Sequence, residues 1–244
     1  MKVQLIDYTG AGAADPARHA ANVLVFTKGT RLNMTAGLMA EVEAKPWAVI
    51  EKEMEYMANT IPSSWEFVSY TFLINGVTRA FTHQFVRTRT GSYAQQTMRV
   101  LDVDGWDYLV GPTIDGEAKD VYDDAMEKID DAYRLMIKSG AKIEDARGIL
   151  PTNILTNIVA KFDLRTFSDT QRKRASTRTQ GEYREVMAAM RAEVLRVHPW
   201  AKMFLERTFD RSASDLEQEL IRNIKPGTDR TNAIKLLDQI RMSA

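Results

Sequence analysis

The sequence predicts an α+β fold on three observations. Residues 3–8 alternate apolar and polar side chains, and residues 66–74 are rich in aromatic and β-branched ones, as strands are. Trp47, Ile50, Met54 and Met57, and later Tyr122, Met126, Ile129, Tyr133 and Met136, recur every third or fourth position, as on amphipathic helices. The order in which these strands and helices follow one another suggests α+β.

Taken in order, the strand at 3–8 leads into Thr9-Gly10-Ala11-Gly12-Ala13-Ala14-Asp15. This loop is superficially like a dinucleotide-binding glycine loop, but the third glycine is missing and Pro16 follows at once, so it carries no cofactor assignment. Pro46 suits the first turn of a helix, which the 47–57 stripe continues until Ile61-Pro62 ends it. Residues 66–74 predict a strand closed by an Asn75-Gly76 turn, residues 77–89 a helix, and residues 93–101 a further strand. A helix is expected at 121–137. From 143 to 197 the pattern reads as mostly helical with a break at Gly148-Ile149-Leu150-Pro151, and a last helix is expected at 230–240.

The 244 residues show no repeat, no low-complexity tract and no composition shift at which to cut, so residues 1–244 are expected to form a single domain. With 44% hydrophobic and 27% charged residues, the chain can bury a core without metal or disulfide staples. Its formal net charge is zero, which disfavours non-specific nucleic-acid binding and leaves anion recognition to local clusters of cations. No stretch approaches a membrane span or a leader sequence, so the expectation is a cytoplasmic protein. There is no cysteine, which excludes disulfides, thiolate metal sites and every mechanism with a protein thiol as nucleophile. His19, His83 and His198 lie far apart without ligand spacing, and no metal site is expected.

Chemistry concentrates in two basic stretches. Between Arg79 and Leu101 stand Arg79, Arg87, Arg89 and Arg99 with no carboxylate, interleaved with His83, Gln84, Thr88, Thr90, Ser92, Gln95, Gln96 and Thr97, all able to bond phosphate oxygens or heterocycle edges. Between Lys161 and Arg184, the residues Arg165, Arg172, Lys173, Arg174 and Arg178 outnumber Asp163, Asp169 and Glu182. Two such clusters suit a ligand with several phosphates, or two phosphorylated ligands, because guanidinium forks hold phosphate bidentately. The plainer alternative is a set of solvated arginines paired with acids elsewhere.

The run Arg87-Thr88-Arg89-Thr90-Gly91-Ser92-Tyr93-Ala94-Gln95-Gln96-Thr97-Met98-Arg99 resembles the hallmark of flavin-dependent thymidylate synthases, an R-H-R followed after seven residues by S and then by an arginine. Glu66-Phe67-Val68-Ser69-Tyr70-Thr71-Phe72 is similar to the family's E-H-x-x-F-T-F strand, and Arg79-Ala80-Phe81-Thr82-His83-Gln84-Phe85-Val86 to its R-A-x-x-H-Q-x-V helix. Glu144-Asp145-Ala146-Arg147-Gly148-Ile149-Leu150-Pro151 resembles E-x-A-R-x-x-L-P. Asp163-Leu164-Arg165-Thr166-Phe167, Arg174 and Gln180-Gly181-Glu182-Tyr183-Arg184 follow in the family's order.

The resemblance implies the family's fold, a central, mostly antiparallel sheet flanked by long helices. It also implies a homotetramer with FAD bound between protomers, methylenetetrahydrofolate as carbon donor and NADPH as reductant, acting on a pyrimidine nucleotide, dUMP first. The flavin would be met by Ser69, Arg87, Thr88, Arg89, Asp163, Arg165 and Asp169. The nucleotide would be met by Gln84, Gln95, Gln96, Thr97, Arg99, Arg147 and Arg174, with Arg99 and Arg147 toward its phosphate. Arg174 would stabilise charge developing on the ring carbonyls, and Thr97, in place of the family's serine, keeps a hydroxyl for substrate bonding; these two are the residues assigned to catalysis. The absence of cysteine agrees, because the other thymidylate synthase class activates the ring with a thiolate.

Four positions depart from the family pattern: Thr88 and Phe67 stand where it has histidines, Ala94 where it has asparagine and Gln95 where it has glutamate. They leave open a different pyrimidine nucleotide such as UMP or dCMP, a hydroxymethyl product, or a non-catalytic relative that binds nucleotide or flavin.

Overall fold

The computed structural model describes residues 1–32, 34–99, 106–174, 179–206 and 208–243, with the backbone alone at 208–215 and 241–243. In chain order the elements are β1 (Lys2–Tyr8), α1 (Pro16–Gly29), α2 (Leu38–Glu43), α3 (Trp47–Thr60), β2 (Ser69–Thr78), α4 (Arg79–Phe85), β3 (Ser92–Gln95) and α5 (Gly116–Lys138). There follow α6 (Ile143–Ala146), β4 (Leu155–Asp163), α7 (Leu164–Arg174), α8 (Gly181–Val197), α9 (Lys202–Leu205), α10 (Thr208–Asn223) and α11 (Thr228–Ser243). The fold is α+β, with helices and one antiparallel sheet of order β1-β2-β4-β3 among the described residues. The chain falls into two compact units, one of residues 1–11 and 69–194, the other of residues 12–68 and 195–244.

The sheet belongs to the first unit. Along β2 the side chains of Tyr70, Phe72 and Ile74 are buried, and along β4 those of Thr156, Ile158, Ala160 and Phe162, so both strands turn alternate residues into one core. Phe72 stacks on Phe167 at 5.7 Å and Phe85 meets Phe162 edge-on at 5.6 Å. Each fully buried Phe contributes about 1.5–3 kcal/mol relative to exposure.

Four expectations are corrected here. Asn75-Gly76 does not close β2. Ile74 pairs with Ile158 and Val77 with Thr156, so the two residues oppose one, and Gly76 at φ 66° makes this a bulge that lets the strand run on to Thr78. The helix expected from 77 therefore starts at Arg79, where the Thr78 hydroxyl caps the Phe81 N–H at 3.0 Å. Residues 155–163 are not helical but form a strand paired on both sides, with β2 and β3; Ile154, Leu155, Ile158, Val159 and Phe162 fit both periods, and strand pairing decides. The strand expected at 93–101 is confined to β3, and Val100 and Leu101 lie outside the described residues.

The second unit is helical. Asp15 caps α1 by accepting from the Arg18 N–H at 2.9 Å, with Pro16 at the first helical position. Neither α1 nor α10 was anticipated from the sequence, although Phe209, Ala213, Leu216 and Leu220 of α10 stand at helical spacing. Ala21, Leu24, Ile50, Met54 and Met57 are buried, Trp65 packs edge-on against Phe204 at 5.1 Å, and the Trp200 indole N–H donates to the Ala17 carbonyl at 2.9 Å. His198 is buried and stacked on Trp200.

Candidate functional site

The sheet register gathers the flavin-assigned residues at one end of the first unit. Ser69, opening β2, pairs with Asp163, closing β4, and Ser92 of β3 pairs with Lys161, so the turn carrying Arg87, Thr88 and Arg89 enters the sheet at that same end. Arg165 and Asp169 sit on α7, which leaves from there. Arg87 and Arg89 are exposed and unpaired among the described residues, as anion-binding guanidiniums would be. Asp169 lies 3.8 Å from the Arg172 guanidinium. Asp163 acts on its own helix, because its two oxygens accept from the Thr166 N–H at 2.7 Å and the Thr166 hydroxyl at 3.0 Å, capping α7.

The turn is braced from beneath. The Tyr93 hydroxyl donates to the Thr88 carbonyl at 2.8 Å and the Phe85 carbonyl at 3.1 Å, and the Gly91 N–H closes onto the Thr88 carbonyl at 3.0 Å. Burial pushes the Tyr93 phenol up to about 12, so it remains a donor at any ordinary pH.

The nucleotide-assigned residues divide into two groups. Gln95, Gln96, Thr97, Arg99 and Arg147 gather around Arg79 at the far end of β3. There the Arg79 guanidinium donates to the Gln96 carbonyl at 2.7 Å, Asn157 donates to the Gln96 side chain at 3.0 Å, and Gln95 donates to the Thr82 hydroxyl at 2.9 Å. The Thr97 hydroxyl accepts from the Arg99 N–H at 3.1 Å, and the exposed Arg147 donates to the Glu144 carbonyl. A cleft of about 330 Å³ opens here, lined in part by Arg79, Gln96, Thr97, Trp106 and Asn157. Burial, and secondarily the Arg147 guanidinium, hold Arg79 below its ordinary arginine pKa, which marks this end as a place where negative charge is welcome.

Gln84 and Arg174 make up the second group. Gln84 donates to the Gln180 side chain at 2.9 Å, while the Arg174 guanidinium lies over the buried Tyr183 ring, 4.7 Å from its centroid. Such a contact holds the cation in place while leaving its edge donors for a ligand. Burial raises the Tyr183 phenol, opposed by Arg174 and then by Thr88. Arg178 lies outside the described residues.

Of the departures from the family pattern, Phe67 is 61% exposed and Ala94 is also exposed. Sequence reading passed over Arg79 as a site residue, and also Glu182, whose oxygens accept from the Thr78 N–H at 2.7 Å and its hydroxyl at 2.6 Å. Arg79 could have been found, since it stands in the carboxylate-free run. An acid in the first turn of a helix, by contrast, reads as ordinary dipole complementation. Among the described residues no three His, Asp or Glu side chains come together as a metal site, and no helix is long and apolar enough to cross a membrane.

Comparison with known proteins identifies the family. The model of the family "Thymidylate synthase complementing protein" matches residues 4–200. Flavin-dependent thymidylate synthase of Clostridium tetani is 36% identical over 152 residues, 55% of this chain and 61% of the relative. That of Nitratidesulfovibrio vulgaris is 35% identical over 162 residues, 59% and 66%, and that of Sulfolobus acidocaldarius 32% identical over 183 residues, 70% of each. The matched region thus spans somewhat less than two thirds of the first two relatives and rather more of the third. With the family match running through most of its length, this chain belongs to the thymidylate synthase complementing protein family.

Proposed function

We propose that the protein is a flavin-dependent enzyme that transfers a one-carbon unit from methylenetetrahydrofolate to C5 of a pyrimidine nucleotide, converting dUMP to dTMP with NADPH as reductant. The observation that carries this reading is Arg174 held on the buried Tyr183 ring, which packs on Phe85, whose carbonyl shares the Tyr93 hydroxyl with Thr88 of the Arg-Thr-Arg turn, in a chain with no cysteine. A cation seated next to the flavin-assigned turn suits charge developing on a pyrimidine carbonyl, and no thiolate is present to activate the ring instead.

The residues fit a flavin. Arg87 and Arg89 offer two exposed guanidiniums, unpaired among the described residues, for its phosphates, with Ser69 and Arg165 at the same end of the sheet. When bound, the flavin would supply the reducing chemistry. The protein's part is positioning and electrostatics: Gln84 and Arg174 orient the pyrimidine, Thr97 and Gln95 bond its polar edges, and Arg99 and Arg147 hold its phosphate. Within one chain the nucleotide residues fall into two separately bonded groups, which fits sites completed between chains of a homotetramer. The family match over residues 4–200 enters both compact units and is compatible with a single domain of residues 1–244; a cytoplasmic location is part of the same proposal.

Gln95, an amide where the family has a carboxylate, favours a second reading of the same site: another pyrimidine nucleotide, UMP or dCMP, or a hydroxymethyl product. The test is the visible spectrum of the purified protein, then anaerobic reduction by NADPH with and without dUMP, then product analysis. Bound flavin, flavin reduction that depends on dUMP and a methyl product support the first reading. A hydroxymethyl product, or turnover of UMP or dCMP alone, replaces it with the second, and a protein that binds no flavin refutes both.

A further inference from the structure

Glu182 joins the two elements that carry Gln84 and Arg174. Its carboxylate receives the backbone N–H and the hydroxyl of Thr78, the residue that caps α4, at 2.7 and 2.6 Å. The Thr78 hydroxyl in turn accepts from the Phe81 N–H at 3.0 Å, so one carboxylate locks the start of α4 against the start of α8. From this lock two arms extend. In one, the Gln180 amide reaches the same carboxylate at 3.4 Å while its carbonyl oxygen accepts from Gln84 at 2.9 Å. In the other, the adjacent Tyr183 is wholly buried between Phe81 and Phe85, at 5.1 and 5.9 Å, and presents its face to Arg174 at 4.7 Å.

A carboxylate with charge-assisted bonds to a buried cap is a rigid anchor, and Gln84 and Arg174 are otherwise long side chains with several free torsions. We propose that Glu182 is a positioning residue, setting Gln84 through Gln180 and Arg174 through the Tyr183 ring. This rests on the reading of Gln84 and Arg174 as pyrimidine-site residues. Neither arm needs Glu182 to touch substrate, and the two arms separate in their effects: the first orients a neutral hydrogen-bonding group, the second a charge used in the reaction.

The test uses the flavin-loaded enzyme and dUMP. Glu182→Gln keeps the shape and removes the charge, and should lower kcat about ten- to a hundredfold, the loss expected when a reacting geometry drifts by about 1 Å. Gln180→Ala, at an exposed position that folding tolerates, cuts the first arm alone and should raise KM about three- to tenfold with little change in kcat. Tyr183→Leu removes the face beneath Arg174 and should lower kcat, while Tyr183→Phe restores most of it, a rescue that loss of core volume by itself would not produce. Wild-type kcat and KM in Glu182→Gln, or equal defects in the two Tyr183 variants, overturn the proposal. Crystal structures of Glu182→Gln and the wild type decide it without substrate. Displacement of the Gln84 amide and Arg174 guanidinium supports the proposal; both unmoved overturns it. A wild type that turns over no pyrimidine nucleotide would instead sink the proposed function.

Discussion

Gly91 ties the loop of the Arg-Thr-Arg turn to the core, and Gly91→Ala should loosen both. A Cβ at this position would meet the Phe162 ring edge at 2.7 Å, the Tyr93 hydroxyl at 2.7 Å and its ring carbon at 2.9 Å, all well inside contact distance. Phe162 is buried and packed against Phe85 and Tyr93, so it cannot swing aside, and the displacement falls on Tyr93. Overpacking of this kind costs about 1–3 kcal/mol. Moving the phenol also strains or breaks the bond that its single proton shares between the Thr88 and Phe85 carbonyls, at about 0.5–1.5 kcal/mol, for a total of about 1.5–4.5 kcal/mol. Urea denaturation followed by circular dichroism measures this directly, with flavin retention as the functional readout. Tyr93→Phe removes one of the colliding atoms and the same shared bond, so the double variant should be destabilised by less than the sum of the singles. A Gly91→Ala protein within about 0.5 kcal/mol of wild type, or strict additivity with Tyr93→Phe, would refute the reasoning.

Other outcomes follow from the same geometry. Arg174→Ala should cut kcat by about 10²–10³ with an unchanged circular dichroism spectrum, because it removes a charge partner and no core volume; near-normal turnover would remove Arg174 from the mechanism. Arg87→Ala should weaken flavin retention about ten- to a hundredfold, the loss of one charge-assisted hydrogen-bonding group, as read by equilibrium dialysis against FAD. The Tyr93 phenol, raised by burial from about 10 to about 12, favours the folded state while protonated, so its contribution is intact below about pH 10 and fades between about pH 10 and 12. Tyr93→Phe should therefore lose less stability than wild type across that window, and parallel pH profiles would contradict the assignment.

The core helix α3 and the strand β1 were legible because a single period fits each of them, and β2 because of its aromatic and β-branched residues. β4 was not, since its apolar residues satisfy helical and strand spacing alike; the antiparallel partners on either side, which supply its backbone hydrogen bonds, settle the matter. The Asn75-Gly76 pair reads as a turn, and only the continued pairing of Val77 and Thr78 with β4 turns it into a bulge.

The candidate site divides in the same way. Its arginines, glutamines and the Arg-Thr-Arg turn lie in contiguous motifs, and the missing cysteine is a fact of composition, so the sequence by itself determined the family resemblance and the kind of ligand chemistry. Which side chains hold which others was decided by tertiary structure alone. Thr78 and Glu182 stand 104 residues apart, and Gln84 and Gln180 stand 96 apart. Asp163 and Glu182 both lie at helix starts and read alike in sequence, yet one caps its own helix and the other grips a distant one. Local patterns record what a residue can bond; only packing of the sheet and helices determines which partner comes within about 3 Å.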